Sequence, residues 1–401
     1  MQKLNFTILD NAEFHQKFDS SARLHHETLT QMKGITPHLI DPSIAIVRDS
    51  DLPSEGDTVY YPFFIREPFT METMDFCSLI DETHRKLLIE EKIRPILFMI
   101  SEAWPIFERG QWRSTYSKVI GQFTSHGIKE ENIVWLVCVK DKVPEWVKAK
   151  FIHFDYFLEQ QKSMKTDFMP LEQIDDVFIS MARGVHRHHR YGMTYSLYKN
   201  NLMQHGKLSC SAYENFKYMN NISTTTTDQY VSALDCFDND SFQKFKDALP
   251  MDIDFADNLH QTDQNEAYLL KNVFVNLVNE THQPDNLTFV TEKTYRSINY
   301  CRPFIVNGDN GTMAYLKDLG FKTFSDFWDE SYDDNGTSDQ VKIRKITDII
   351  KDLCGRSKDD LMAMYQDMKP IIKHNHEHLQ QFAQWHKLNI CLLYTSDAAD
   401  E

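Results

Sequence analysis

The sequence predicts an α/β protein with two Rossmann-like domains, and three observations carry that expectation. Short runs are almost wholly apolar: Pro95–Ile100 (PILFMI), Ile133–Val139 (IVWLVCV) and Val273–Val278 (VFVNLV). Such runs suit strands covered on both faces, as in a parallel sheet flanked by helices. Between them lie segments with apolar residues near helical spacing, and alternation of the two patterns is the mark of βαβ units. Finally, the polar stretch Leu158–Ile174, which contains Pro170, interrupts the alternation, and the pattern then restarts.

Taken in order, Thr58–Ile65 reads as a strand, Met71–Lys92 as a helix and Pro95–Ile100 as a buried strand. Trp112–His126 reads as a helix, Ile133–Val139 as the next strand and Phe151–Phe157 as another. Beyond the polar stretch, Val177–Met181 reads as a strand, Arg187–His205 as a helix and Lys207–Ala212 as a strand. Asn215–Asp238, with its run of threonines at 224–227, reads as loop, because β-branched residues are weak helix formers. Val273–Val278 is a strand, Glu292–Tyr300 a helix, Pro303–Asn307 a strand, Thr312–Leu319 a helix, and Ser338–Leu388 mostly helical. The expected organisation is a first domain over 1–172, a second over 173–337 and C-terminal helices over 338–390. Residues 391–401 (CLLYTSDAADE) read like a translated sequencing adaptor and are set aside.

The formal net charge of −16 argues against a chain that wraps nucleic acid or lies on an anionic membrane. No apolar run reaches membrane-spanning length, and the first residues lack the apolar core of a secretory signal. The cysteines are scattered and form no CxxC pair, as expected of reduced thiols in a cytoplasmic protein.

The most informative stretch is Val273–Phe324. A buried strand ends at Asn279 and Glu280, and a turn with Pro284, Asp285 and Asn286 follows. Thr291 then stands where an N-cap hydroxyl belongs, ahead of Glu292, Lys293 and Arg296 in the first turns of a helix. A helix start carrying two cations favours a phosphate, because free backbone N–H groups and the dipole both attract an anion. A carboxylate beside it suits a ribose diol. Spacing alone favours a plain surface Glu–Arg pair at i, i+4. A second basic stretch follows the strand at 177–181: Arg183, Arg187 and Arg190, with His186, His188 and His189. Arginine gives forked, charge-assisted bonds to phosphate oxygens.

The run Asn279-Glu280-Thr281, Val290-Thr291-Glu292-Lys293-x-x-Arg296 and Phe304-Ile305-Val306-Asn307-Gly308 resembles the donor-binding motif of the α1,3-fucosyltransferase-type GT-B glycosyltransferases. It resembles still more closely a group of glycosyltransferases from phages and uncultured marine microbes, which shares Gly320–Phe324 and Asp329–Asp333. The likeness covers about fifty residues in unbroken order. It implies two Rossmann-like domains facing a central cleft, a nucleoside diphosphate sugar as donor and no metal or other cofactor. It implies ribose contact for Glu292 and diphosphate contact for Lys293 and Arg296, with Thr291 and Glu280 in the same donor motif. In the same families a strand–loop–helix with Arg faces the diphosphate, which points to Arg183, Arg187 and Arg190. The link from Glu280 to Glu292 is longer than in the fucosyltransferases, and Ser297 replaces their Asn. The acceptor would be a glycan or another hydroxyl compound.

A base in the first domain is expected to deprotonate that hydroxyl. Glu102, just beyond PILFMI, is the first candidate and Asp155 the second; a capping role suits either equally. His374 and His378 lie one helical turn apart but do not form HExxH, and a solvated helix end accounts for them. The turn Gly308–Thr312 is explained by turn chemistry, and the acids between Asp326 and Asp334 by a solvated loop. Two other functions fit the same fold: an inactive nucleotide-sugar-binding or structural protein, and a different phosphate-handling transferase.

Overall fold

A computed structural model describes residues 7–9, 45–47, 59–64, 75–99, 113–138, 143–182, 188–210, 224–251, 267–281 and 288–382. The chain divides into two compact units, the first ending at Ser163 and the second spanning Met164–Phe382.

The first unit holds a six-stranded sheet of parallel strands in the order β2-β1-β3-β4-β5-β6. These are β1 (Thr7–Leu9), β2 (Ala45–Val47), β3 (Val59–Phe64), β4 (Ile93–Met99), β5 (Val134–Val137) and β6 (Lys150–His153). Helices α1 (Glu82–Ile89) and α2 (Arg113–Ser125) lie between strands, and α3 (Tyr156–Ser163) follows the last. The core is aromatic: Phe63, Phe76 and Phe123 meet edge to face, and Trp135 stacks on both Tyr116 and Phe151, which also touch each other. The expected long helix over 71–92 is a 3-10 turn at Phe76–Leu79 followed by α1, because two acids interrupt it. Asp75 accepts from Ser78 N and Asp81 from His84 N, so each opens its own segment. Phe151–Phe157 is a strand only as far as His153. Asp155 then accepts from Leu158 N at 3.1 Å and starts α3.

The second unit holds four parallel strands in the order β10-β9-β7-β8: β7 (Asp176–Ala182), β8 (Gly206–Cys210), β9 (Val273–Asn279) and β10 (Phe304–Asn307). Helices α4 (His188–Lys199), α5 (Thr224–Ser232), α6 (Asn239–Asp247), α7 (Glu292–Asn299), α8 (Thr312–Asp318), α9 (Asp339–Cys354) and α10 (Lys358–Gln381) complete it. β9 and β10 are buried at every residue, whereas the edge strand β8 is only partly buried. The threonine run expected as loop lies in α5. Thr227 is buried, its hydroxyl bonds His188, and Tyr230 stacks on the His188 ring, so packing on α4 overrides propensity.

The C-terminal helices belong to this second unit: Ser196 in α4 bonds Thr347 in α9, and Gln380 in α10 bonds Asn299 in α7. Residues between Met164 and Leu171 are fastened here as well. Thr166 donates to Asn299, Met169 N to Cys301 Sγ and Leu171 N to Tyr365 Oη, which explains a unit boundary at 163/164. Arg302, 2 % exposed, braces the same corner by donating to the carbonyls of Met169, Leu270, Lys271, Tyr300 and Cys301. Among the described residues no helix is long and apolar enough to cross a membrane.

Gly206 begins β8 where the backbone approaches Phe178 of β7. A Cβ there would lie 2.5 Å from Phe178 O and 2.7 Å from its ring. Gly206→Ala should therefore destabilise the protein by about 1–3 kcal/mol, read as a lower midpoint in urea unfolding. An unchanged midpoint would show that the two strands can separate freely.

Candidate functional site

The strand order sets the place to look. From β8 the chain crosses over β7 to form β9, so the sheet order reverses between β7 and β9. In open parallel sheets, ligands bind beyond the carboxyl ends of the strands at such a reversal. Here those ends are Ala182, Asn279 and Asn307, and a buried polar ladder links them. Asn279 Nδ2 donates to Ser180 Oγ at 2.8 Å, and Asn307 Nδ2 donates to Asn279 Oδ1 at 2.9 Å and to His189 O at 3.3 Å.

Glu280 follows β9 and is fully buried. Its carboxylate accepts four hydrogen bonds: from Thr291 N (3.1 Å), Thr291 Oγ1 (2.5 Å), Thr294 Oγ1 (2.6 Å) and Thr281 N (3.1 Å). Its main-chain carbonyl accepts from His189 Nε2 (3.0 Å) and from Arg190 Nε (2.9 Å) and Nη2 (2.7 Å). One residue thus ties the start of α7 to the start of α4. This revises two expectations. Both carboxylate oxygens of Glu280 accept from within the protein, so it positions the helix start. Arg190 is buried with two donors on a main-chain carbonyl, which makes it a strut between α4 and β9.

The start of α7 is built as its residue types predict. Thr291 is the N-cap, and its hydroxyl accepts from Lys293 N at 3.4 Å. Lys293 Nζ donates to Thr281 Oγ1 (2.8 Å), Thr291 Oγ1 (3.1 Å) and Glu292 Oε1 (2.8 Å). The Glu292 and Lys293 side chains keep about a quarter of their surface accessible, at 23 % and 27 %. Burial alone would raise the Glu292 carboxyl. The charge and hydrogen bond of Lys293 and the charge of Arg296 outweigh it and hold the carboxyl below the usual glutamate range. The result is an ionised carboxylate between two cations at a helix start, partly open to ligand.

Arg183, Arg187 and Glu102 lie outside the described residues. Asp155 is buried and its carboxylate caps α3 through Oδ1. His188 is half-buried, and burial lowers its pKa. Its Nδ1 pairs with Thr227 Oγ1 at 2.8 Å.

His374 and His378 stack face to face, and their Nε2 atoms meet the carbonyls of Gly320 and Leu319 at 3.0 and 2.8 Å. They cap the end of α8. Among the described residues no group of three or more His, Cys, Asp or Glu is arranged to hold a metal ion. The acidic loop is only partly solvated. Glu330 accepts from Phe324 N and Thr323 Oγ1, each at 2.8 Å, and Asp333 is 4 % exposed.

Sequence reasoning missed Ser180 and Lys342 as parts of this end of the sheet, and gave Asp309 and Asp333 only turn and loop roles. A polar residue closing an otherwise apolar strand, as in VFVNLVN and FIVN, is the one local signal that marks Asn279 and Asn307. Lys342 sits in an ordinary amphipathic helix, and nothing in its neighbours reveals that it is 1 % exposed.

No family model and no curated protein matches this chain.

Proposed function

We propose that the second unit binds the diphosphate of a nucleoside diphosphate sugar at the start of α7, and that the protein transfers the sugar to an acceptor hydroxyl on a GT-B scaffold. The observation that carries this reading is the helix start at the carboxyl edge of a parallel sheet, beside the reversal of strand order. Its N-cap is pinned by Glu280, and Glu292, Lys293 and Arg296 lie in its first turns.

The chemistry follows from charge. As the glycosidic bond to the diphosphate breaks, negative charge builds on the leaving phosphate. Lys293, Arg296 and the positive end of the α7 dipole would meet that charge with fixed positive potential and little reorganisation. Arg183 and Arg187, which follow β7 in sequence, would add forked donors. Glu292 would take the ribose hydroxyls, and Glu102, which follows β4 in sequence, would deprotonate the acceptor. The resemblance of the 279–308 run to fucosyltransferase-type donor motifs supports the same assignment.

The test is a panel of nucleoside diphosphates and their sugars, read by thermal shift and then by release of free nucleoside diphosphate. At least one donor should raise the melting temperature and turn over. Glu102→Ala should keep that stabilisation and lose turnover, since a general base acts only in the transition state. Binding with no turnover for any acceptor would favour a binding protein. Turnover with a phosphorylated donor that carries no nucleoside would favour a different transferase.

A further inference from the structure

Behind Glu280 lies a buried charge cluster that the donor reading does not use. Gly308 and Asp309 follow β10, and Gly308 packs on Glu280: a Cβ on it would lie 3.0 Å from Glu280 Cβ and 3.2 Å from its Cγ. Lys342 in α9 donates to Gly308 O. Asp333 closes the turn that follows, accepting from Met313 N at 2.7 Å through Oδ2 and from Gly311 N at 2.8 Å through its carbonyl. Thr312 Oγ1 donates to Asp309 O at 2.6 Å. Asp309, Asp333 and Lys342 are 3 %, 4 % and 1 % exposed.

Glu280 has four donors and Lys342 has its carbonyl, whereas two carboxyl oxygens of this arrangement, Asp309 Oδ2 and Asp333 Oδ1, are buried and accept no hydrogen bond. Of the two acids, Asp309 is the one that adjoins Gly308, which packs on Glu280. The groups that face Asp309 are Lys342 from α9, Glu280 from the end of β9, the Phe289 N–H ahead of α7, and Asp333 from the turn before α9. Asp339 also faces Lys342, and Glu330 faces Asp333. Around Asp309 itself the carboxyl groups of Glu280 and Asp333 outnumber the one cation that faces it, Lys342, so a further anion here lacks a partner to meet its charge.

We propose that Asp309 is a positioning residue of the anion site: as the neutral acid it seats the Gly308–Thr312 turn against Glu280, and its ionisation displaces that turn and weakens anion binding at α7. The inference rests on reading α7 as an anion site. The route is short. Gly308 touches Glu280, Glu280 holds Thr291 and Thr294, and these fix the helix start that carries Lys293 and Arg296.

Burial, opposed by Lys342 and reinforced by Glu280, pushes the Asp309 carboxyl up to about 8, and burial likewise raises Asp333 to about 6. An acid raised on folding keeps a proton that the unfolded chain has released. Its burden on stability begins above the unfolded value near pH ~4. That burden grows with pH and is complete above the folded value. A neutral replacement of the same shape removes it.

Glycine-selective ¹⁵N labelling reads the turn directly through Gly308 and Gly311, and calorimetric titration with inorganic pyrophosphate reads the site. In the wild type, the Gly308 resonance should move with an alkaline midpoint between about pH 6 and about pH 9.5, and pyrophosphate affinity should fall about tenfold over that interval. Gly311, whose N–H donates to Asp333 O, should show a further step near pH 6 from Asp333. Asp309→Asn should bind as the wild type does near neutrality, with no alkaline step at Gly308 and no alkaline loss of affinity. Asp309→Leu, which keeps the turn uncharged but has no polar group for the Phe289 N–H, should bind weakly at every pH. Identical titrations in wild type and Asp309→Asn, or loss of binding by Asp309→Asn at neutral pH, would overturn the inference. If pyrophosphate fails to bind the wild type while the glycines titrate as described, the anion-site reading falls and the dependence of the turn on Asp309 stands.

Discussion

Glu292→Ala should weaken binding of a nucleoside diphosphate tenfold to a hundredfold and leave inorganic pyrophosphate binding unchanged or slightly stronger. The contrast comes from the two roles of the carboxylate. Toward a ribose it would be a charge-assisted acceptor, a bond that contributes about 1.5–3 kcal/mol, which is the stated loss in affinity. Toward the protein it neutralises Lys293, whose ammonium lies 2.8 Å from Glu292 Oε1. Removing it frees that charge for a phosphate, so a ligand with no ribose has nothing to lose. Calorimetric titration of both ligands against a folded variant decides the matter. Equal losses for the two would mean that Glu292 only orders the helix start. Unchanged affinity for the nucleotide would remove it from the site.

Glu280→Ala should cause the largest loss of stability of any substitution at this end of the sheet, about 3–5 kcal/mol. Four donors on three threonines end on this buried carboxylate, and an alanine leaves them facing each other across a void. For a unit of this size the melting temperature should fall on the order of 10 °C. Glu280→Gln should be intermediate, because it keeps the volume and one acceptor oxygen while its amide group opposes the threonine donors. Thermal unfolding of the three proteins orders them, and a shift below about 2 °C for the alanine variant would show that water replaces the carboxylate at little cost.

These two expectations divide the TEK-type stretch differently from its sequence. Two glutamates twelve residues apart look alike as letters and share one motif. In space, Glu280 is fully buried and saturated with internal donors, whereas Glu292 keeps part of its surface. Arg190 underwent the same change of meaning: an arginine at a helix start reads as a phosphate ligand until its donors are found on Glu280 O. Asp155 did so as well, since a carboxylate at the end of a strand serves equally as a base or as a cap, and here it caps α3.

What the sequence determined by itself was everything encoded over short distances. Apolar runs of strand length gave the buried strands, and helical spacing with Thr291 as N-cap gave the start of α7. The polar stretch Leu158–Ile174 marked a break in the alternation, but only the structure places the start of the second unit at Met164. The tertiary structure decided what depends on residues far apart in the chain. The pairing of β9 with β7 and not with β8 creates the reversal of strand order and so locates the site. Packing on α4 turned a threonine run into helix, and capping acids split one amphipathic segment into two. Burial decided which charges face a ligand: Lys342 and Asp309 are thirty-three residues apart and ordinary in composition, and they meet only because α9 packs against the end of β10. A side chain's charge is a local property, but its desolvation and its partners belong to the fold, and the role of a charged residue follows from those.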